Sequence, residues 1–324
     1  MGKRRSLEEQ LEALTALRGD PGTPEALAEL MRGLQSKSSF VAAKAAQIVA
    51  EAGRREFLAD LVAAFARFMD SGVDTDKGCK AKSAIAEALD KLGCEDEALF
   101  LRGVRHVQRE PVWGGSVDTA AELRAISAAA LVRLNHPDVM ALLADLLVDA
   151  EAAARAGAAR AIAYRGGDDG AALLRLKLRI GDDEPQVVQE CLLGLLQLAP
   201  RQGLELSETM LRSEQGGNAD AAALALGQSR LREAFELLRR WCERTVDETT
   251  RKVALTAIVL LRHDESLAYL LELIHTVPAR QAVAVIQILA MYKHDPQLAR
   301  RVRDAAAGRK DRVVVEAVHA AFGA

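Results

Sequence analysis

The chain has 324 residues, half of them hydrophobic and only 4% aromatic, with 43 basic against 46 acidic side chains and a net charge of −3. So large an apolar share excludes global disorder, and recurrent Ala and Leu with few aromatics argue for close-packed helices over sheet. The near balance of charge excludes a global positive field that would draw the chain onto nucleic acid or anionic lipid.

The start, Met1-Gly2-Lys3-Arg4-Arg5, is basic but runs into Ser6-Leu7-Glu8-Glu9 rather than an apolar stretch, so no export signal is expected. A helix over 7–17 follows and caps the rest, giving an N-terminal segment of 1–23. Thr23-Pro24 then sets a capping hydroxyl before a proline in the first turn of the next helix, and Gly53 and Gly93 stand where left-handed helix ends are wanted.

Two turns are longer than the others, at 70–79 and 109–118, in adjacent repeats and at the same kind of junction, so both should project from one edge. Asp70, Asp74 and Asp76 in the first do not make a calcium loop: counted from Asp74, the fifth position is Gly78 and the twelfth is Ile85, where ligands are needed. Solvation and helix capping are their expected roles. Cys79 lies among Lys77, Lys80 and Lys82, which could stabilise a thiolate, but no histidine is near, so a partly exposed ordinary thiol is expected. In the second turn Trp113 sits between Pro111 and Gly114-Gly115 and has two readings, a contact anchor for a partner or a cover folded over the edge of the core. Thr119 and Glu122 have the spacing of a capping box for the next helix.

Further on, one phrase returns at roughly thirty- to forty-residue intervals: an Ala-rich helix, a short turn with Gly, Asp or Pro, a Leu-rich helix and another turn. Clear Ala-rich copies contain Ala158-Ala159-Arg160-Ala161-Ile162, Val187-Val188-Gln189-Glu190-Cys191 and Val253-Ala254-Leu255-Thr256-Ala257-Ile258, and each precedes a Leu-rich helix such as Leu270-Leu271-Glu272-Leu273-Ile274. Ala254, Ile258 and Leu261 fall on one helix face. His136, His263 and His294 mark equivalent turns, each beside an aspartate, and Asp295-Pro296 starts a helix. Arg124, Arg155 and Arg251 recur early in Ala-rich helices, with Arg280 near the same register. They can bond turn carbonyls and acids of a neighbouring repeat, or form a ladder for anionic partners. The basic C-terminal run, including Arg300, Arg301, Lys310 and Arg312, fits a solvated terminal repeat.

These copies resemble the short HEAT-like repeats of phycobilisome lyases, over nearly the whole chain. The resemblance implies an all-α fold, a right-handed α-α superhelix with Leu-rich helices outside and Ala-rich helices lining a concave face. About nine helix pairs are expected over 24–322, in one solenoid spanning 1–324. Similar repeats occur in bilin lyases and in alkylpurine DNA glycosylases, which are the alternative functions, but no residue pattern for either can be matched in this chain.

The phosphate-loop lysine, the HExxH pair and the serine nucleophile elbow are all missing, and Gly166-Gly167-Asp168-Asp169-Gly170 is a helix-to-helix turn. Cys79, Cys94, Cys191 and Cys242 lack CxxC pairing, which argues against disulfides and structural zinc and points to a reducing cytoplasm. The most apolar windows, 253–261 and 282–292, are too short to cross a bilayer. The expectation is a non-catalytic cytoplasmic scaffold without cofactor or metal, binding a protein rather than nucleic acid or membrane. Its candidate contact residues are Trp113, Lys77, Lys80, Arg109, Arg124, Arg155 and Arg251.

Overall fold

Several helix boundaries follow from local chemistry. Thr23 accepts a hydrogen bond from the Ala26 amide, Asp295 accepts from Gln297 and Leu298, and Gly53 and Gly93 close helices at φ of 64° and 73°. The computed structural model describes residues 6–212 and 216–323; the basic start at Met1-Gly2-Lys3-Arg4-Arg5 lies outside them. Among the described residues there are nineteen α-helices, one N-terminal helix and eighteen that form pairs, and the fold is an all-α stack of repeated helix pairs.

The chain divides into two compact units, Met1–Arg165 and Gly166–Ala324. The first holds α1 (Leu7–Ala16), α2 (Pro24–Leu34), α3 (Ser39–Glu51), α4 (Leu58–Asp70), α5 (Lys80–Lys91), α6 (Glu97–Val104), α7 (Ala121–Arg133), α8 (Val139–Leu146) and α9 (Ala152–Arg165). Its odd-numbered helices pack in sequence as one layer, and α2, α4, α6 and α8 each lie against the odd helix that follows. The second holds α10 (Asp168–Ile180), α11 (Pro185–Leu198), α12 (Pro200–Leu211), α13 (Gly216–Ser229), α14 (Arg232–Arg244), α15 (Glu248–Leu261), α16 (Asp264–Thr276), α17 (Ala279–Leu289), α18 (Pro296–Ala306) and α19 (Arg312–Phe322). Here α11, α13, α15, α17 and α19 form the corresponding layer.

Small side chains set how closely the Ala-rich helices approach. A Cβ on Gly227 of α13 would lie 2.3 Å from the Ala257 carbonyl oxygen of α15, so the two backbones touch only because that position is glycine. Ala254, Ile258 and Leu261 are buried, as the stripe on α15 required. Each such core contact is local to neighbouring helices, so stability is spread along each stack.

Essentially no β-strand was expected, and one pair is present. Residues 109–118 form a hairpin of β1 (Arg109–Val112) and β2 (Gly115–Asp118), with Arg109 opposite Asp118 and Val112 opposite Gly115.

Candidate functional site

The hairpin turns through two residues, Trp113 and Gly114, and Gly114 takes φ of 88°, a value the second turn position requires of glycine. Its length is set by chemistry at the base. Gln108, just before β1, and Thr119, just after β2, pair through the Thr119 amide and the Gln108 carbonyl at 2.9 Å. The Gln108 amide and the Ala120 amide both donate to Asp118 Oδ1, at 2.9 and 3.0 Å.

The two long turns meet here. Glu110 Oε1 accepts from the Gly78 amide at 2.7 Å, from Gln108 Nε2 at 2.8 Å and from Thr119 Oγ1 at 2.7 Å. Burial would raise the Glu110 pKa, but the bonds from Gln108, Thr119 and Gly78 and the charge of Lys77 hold it below its ordinary value. Thr119 is thus not a helix cap: its hydroxyl closes the hairpin base, and α7 begins after Ala120 with no side-chain cap.

Beneath the clasp lies a buried ion pair. Lys82, 1% exposed, places Nζ 3.4 Å from Asp76 Oδ2 and donates to Gln108 Oε1 at 2.6 Å. Asp76 also caps α5, accepting from the Ala81 and Lys82 amides at 2.8 and 3.1 Å, and the Asp76 carbonyl accepts from Gln108 Nε2 at 2.8 Å. Asp76 is therefore buried and not solvated, while Asp74 stays in solvent near Lys77 and Asp70 pairs with Arg102. A desolvated ammonium without these acceptors would cost several kcal/mol, so the first turn, α5 and the hairpin base hold one another in register.

Above that base the hairpin is open to solvent. Trp113 is 104% exposed, Val112 51% and Val117 39%, so Trp113 does not fold back over the core. Arg109 is exposed on β1, and Lys77 faces solvent with Asp74 3.6 Å away. Lys80 turns instead toward the Ala-rich helices, with Nζ 5.0 Å from the Phe40 ring centre, and helps line a hollow of about 450 Å³ with Lys44 and Glu122.

The recurrent arginines are engaged within the fold. Arg124 is buried, with Nη1 donating to Asp118 Oδ2 at 2.7 Å and to the His106 carbonyl at 2.9 Å, and Nη2 to Asp149 Oδ1 at 2.9 Å. Burial pulls its pKa down, yet the bonds to Asp149 and Asp118 leave it above the ordinary value. Arg155 donates to the carbonyls of Asp149 and Ala150. In the second unit Arg251 donates to the Thr245 carbonyl at 2.6 Å and Arg280 pairs with Glu248. Trp113, Arg109 and Lys77 are thus brought to one edge of the first unit, and Arg124 supports that edge from below. The supporting residues Gln108, Asp118 and Lys82 were missed, since none belongs to a recognisable motif.

Cys79 is fully buried rather than partly exposed, and burial, only partly offset by Lys82, pushes its thiol up to about 12. It and Gly78 adopt φ of 54° and 73°, which turns the chain sharply into α5. Among the described residues no three His, Cys, Asp or Glu side chains gather as metal ligands would, and no helix is long and apolar enough to cross a membrane.

No family model matches the chain, and no curated protein sequence matches it. Solved structures do. A phycocyanin lyase complex of CpcE and CpcF from Nostoc is 19% identical, with a TM-score of 0.41, over 76% of this chain and 93% of that one. Kap121p, in a mutant form, is 14% identical with a TM-score of 0.47, over 98% of this chain and 41% of that one. Human deoxyhypusine hydroxylase with glycerol is 17% identical with a TM-score of 0.31, over 81% of this chain and 92% of that one. The likeness goes no further than helical architecture.

Proposed function

We propose that this protein is a non-catalytic scaffold that binds a protein partner through the edge built by the hairpin and the 70–79 turn, with Trp113 as anchor and Arg109 and Lys77 around it. One observation carries the reading: the largest side-chain type is fully exposed at the tip of a hairpin whose base is clamped by buried polar groups. Exposed tryptophan is costly in water and becomes a strong contact when a partner desolvates it. A clamped base means little ordering entropy is lost on binding. Arg124 is buried and paired, and the Cys79 thiol is buried with a raised pKa, so neither supports a competing chemistry at this edge.

The test is site-directed photo-crosslinking in the cell of origin, with a benzophenone amino acid at position 113 and, in a second protein, at the exposed Tyr164. Adducts to another protein from position 113 and not from 164 are expected. Adducts from 164 alone would move the binding face to the Ala-rich helices and overturn the reading.

A further inference from the structure

One nitrogen at the hairpin base is buried and idle. His106, between α6 and β1, is half-buried, and its Nε2 has no hydrogen-bond partner among the described residues. Its carbonyl is held by Arg124 of α7 at 2.9 Å, so the residue is fixed in place. The ring also bonds to the Gln108 side chain. Gln108 Nε2 already donates to the Asp76 carbonyl and to Glu110 Oε1, which uses both its hydrogens. What remains for the ring is Gln108 Oε1, which accepts from Lys82 Nζ at 2.6 Å. His106 therefore donates through Nδ1, and Nε2 is the unprotonated nitrogen of a neutral imidazole.

We propose that the hairpin base is an acid-sensitive clasp: neutral His106 and Lys82 share Gln108 Oε1, and protonation of His106 loosens the hairpin that carries Trp113. The added proton puts an N–H on Nε2 where it has no partner, and a second cation on the oxygen that holds Lys82. Of the charged groups facing the ring, Lys82 of α5 and Arg102 of α6 oppose protonation, and Asp118 of β2 favours it. Asp118 is already engaged by Arg124 and by the Gln108 and Ala120 amides, while Asp76 and Glu110 are joined to the ring through Gln108. Burial, and then Lys82, hold the His106 pKa below its ordinary value despite the bond to Gln108. A histidine lowered in this way adds stability above its unfolded value, and that stability drains as pH falls from about 6.5 toward the folded value. Asp118 and Glu110, lowered from 3.8 and 4.5, respond only in stronger acid, so weak acid isolates His106. The clasp concerns the order of the hairpin and does not depend on what Trp113 contacts.

The experiment is hydrogen/deuterium exchange of the full-length protein, read at about pH 7 and about pH 5.5 and corrected for intrinsic exchange. Peptides covering 108–119 should lose protection at the lower pH by up to about tenfold, the ceiling set by one histidine of ordinary pKa. Peptides of α3, in the same unit, should change by less than about twofold. His106→Gln keeps a donor for Gln108 Oε1 and cannot take up a proton, so its hairpin should be equally protected at both pH values. Unchanged protection in the parent would overturn the proposal, as would an equal loss in α3 or a full loss that persists in His106→Gln. Should that variant fold poorly, NMR titration of the His106 ring in the parent decides. A midpoint below about 6.5 is expected, and one at or above it would contradict the clasp.

Discussion

Arg124 takes the first of the two uses its position allows, bonding to a turn carbonyl and to acids, with partners that the sequence does not mark. Its place early in an Ala-rich helix was visible in the repeat, but its partners Asp118 and Asp149 stand 6 and 25 positions away and come together only when α7 and the hairpin are folded. Truncation leaves both carboxylates without their cation, so Arg124→Ala should lose about 3–5 kcal/mol of stability in denaturant titration. Asp118 is held below its ordinary pKa: burial would raise it, but the amides of Gln108 and Ala120 and the Arg124 pair lower it. A carboxylate with a depressed folded pKa adds stability above its unfolded value, near pH 4, and that stability is lost as pH falls through the folded value. Asp118→Asn should therefore be less stable at pH 7 and show a flatter acid decline than the parent protein. Asp220 behaves oppositely, because burial and then the charge of Asp247 raise its pKa. Asp220→Asn should raise the unfolding temperature at pH 7, with a gain that shrinks as acid protonates the parent carboxylate.

At the scale of elements, helices were legible because capping residues and apolar periodicity act within one turn of the chain. Thr23, Gly53, Gly93 and Asp295 each do in the fold what their residue type allows. The hairpin was not legible: Gly114-Gly115 reads as loop punctuation, while the strands beside it are anchored through Gln108 and Glu110 to Asp76 and Gly78, 32 positions away in each case. Close helix contacts were legible only as a bias toward small residues, since nothing marks Gly227 until Ala257 lies against it. Gly227→Ala should push α13 from α15 and lower stability by roughly 1–3 kcal/mol, despite the better helix propensity of alanine. The outcome is read by thermal unfolding of the variant against the parent.

For the whole molecule, the repeat made the helical architecture visible over nearly the full length, because each pair repeats the same local demands. The candidate site was visible only as an interruption of that repeat. Trp113 could be picked out by its Pro and Gly neighbours, but its exposure depends on how Glu110 and Gln108 tie the hairpin down, and these ties link residues about 30 positions apart, as in Gly78 to Glu110. In the proposed function the two long turns form one binding edge, and the neighbouring helices of the first unit hold it. The measurement that tests this most directly is partner affinity and folding stability on the same Trp113→Ala protein. Stability within about 0.5 kcal/mol of the parent together with a loss of roughly 2 kcal/mol or more in partner binding is the predicted result. Unchanged binding by a stably folded Trp113→Ala protein would contradict it.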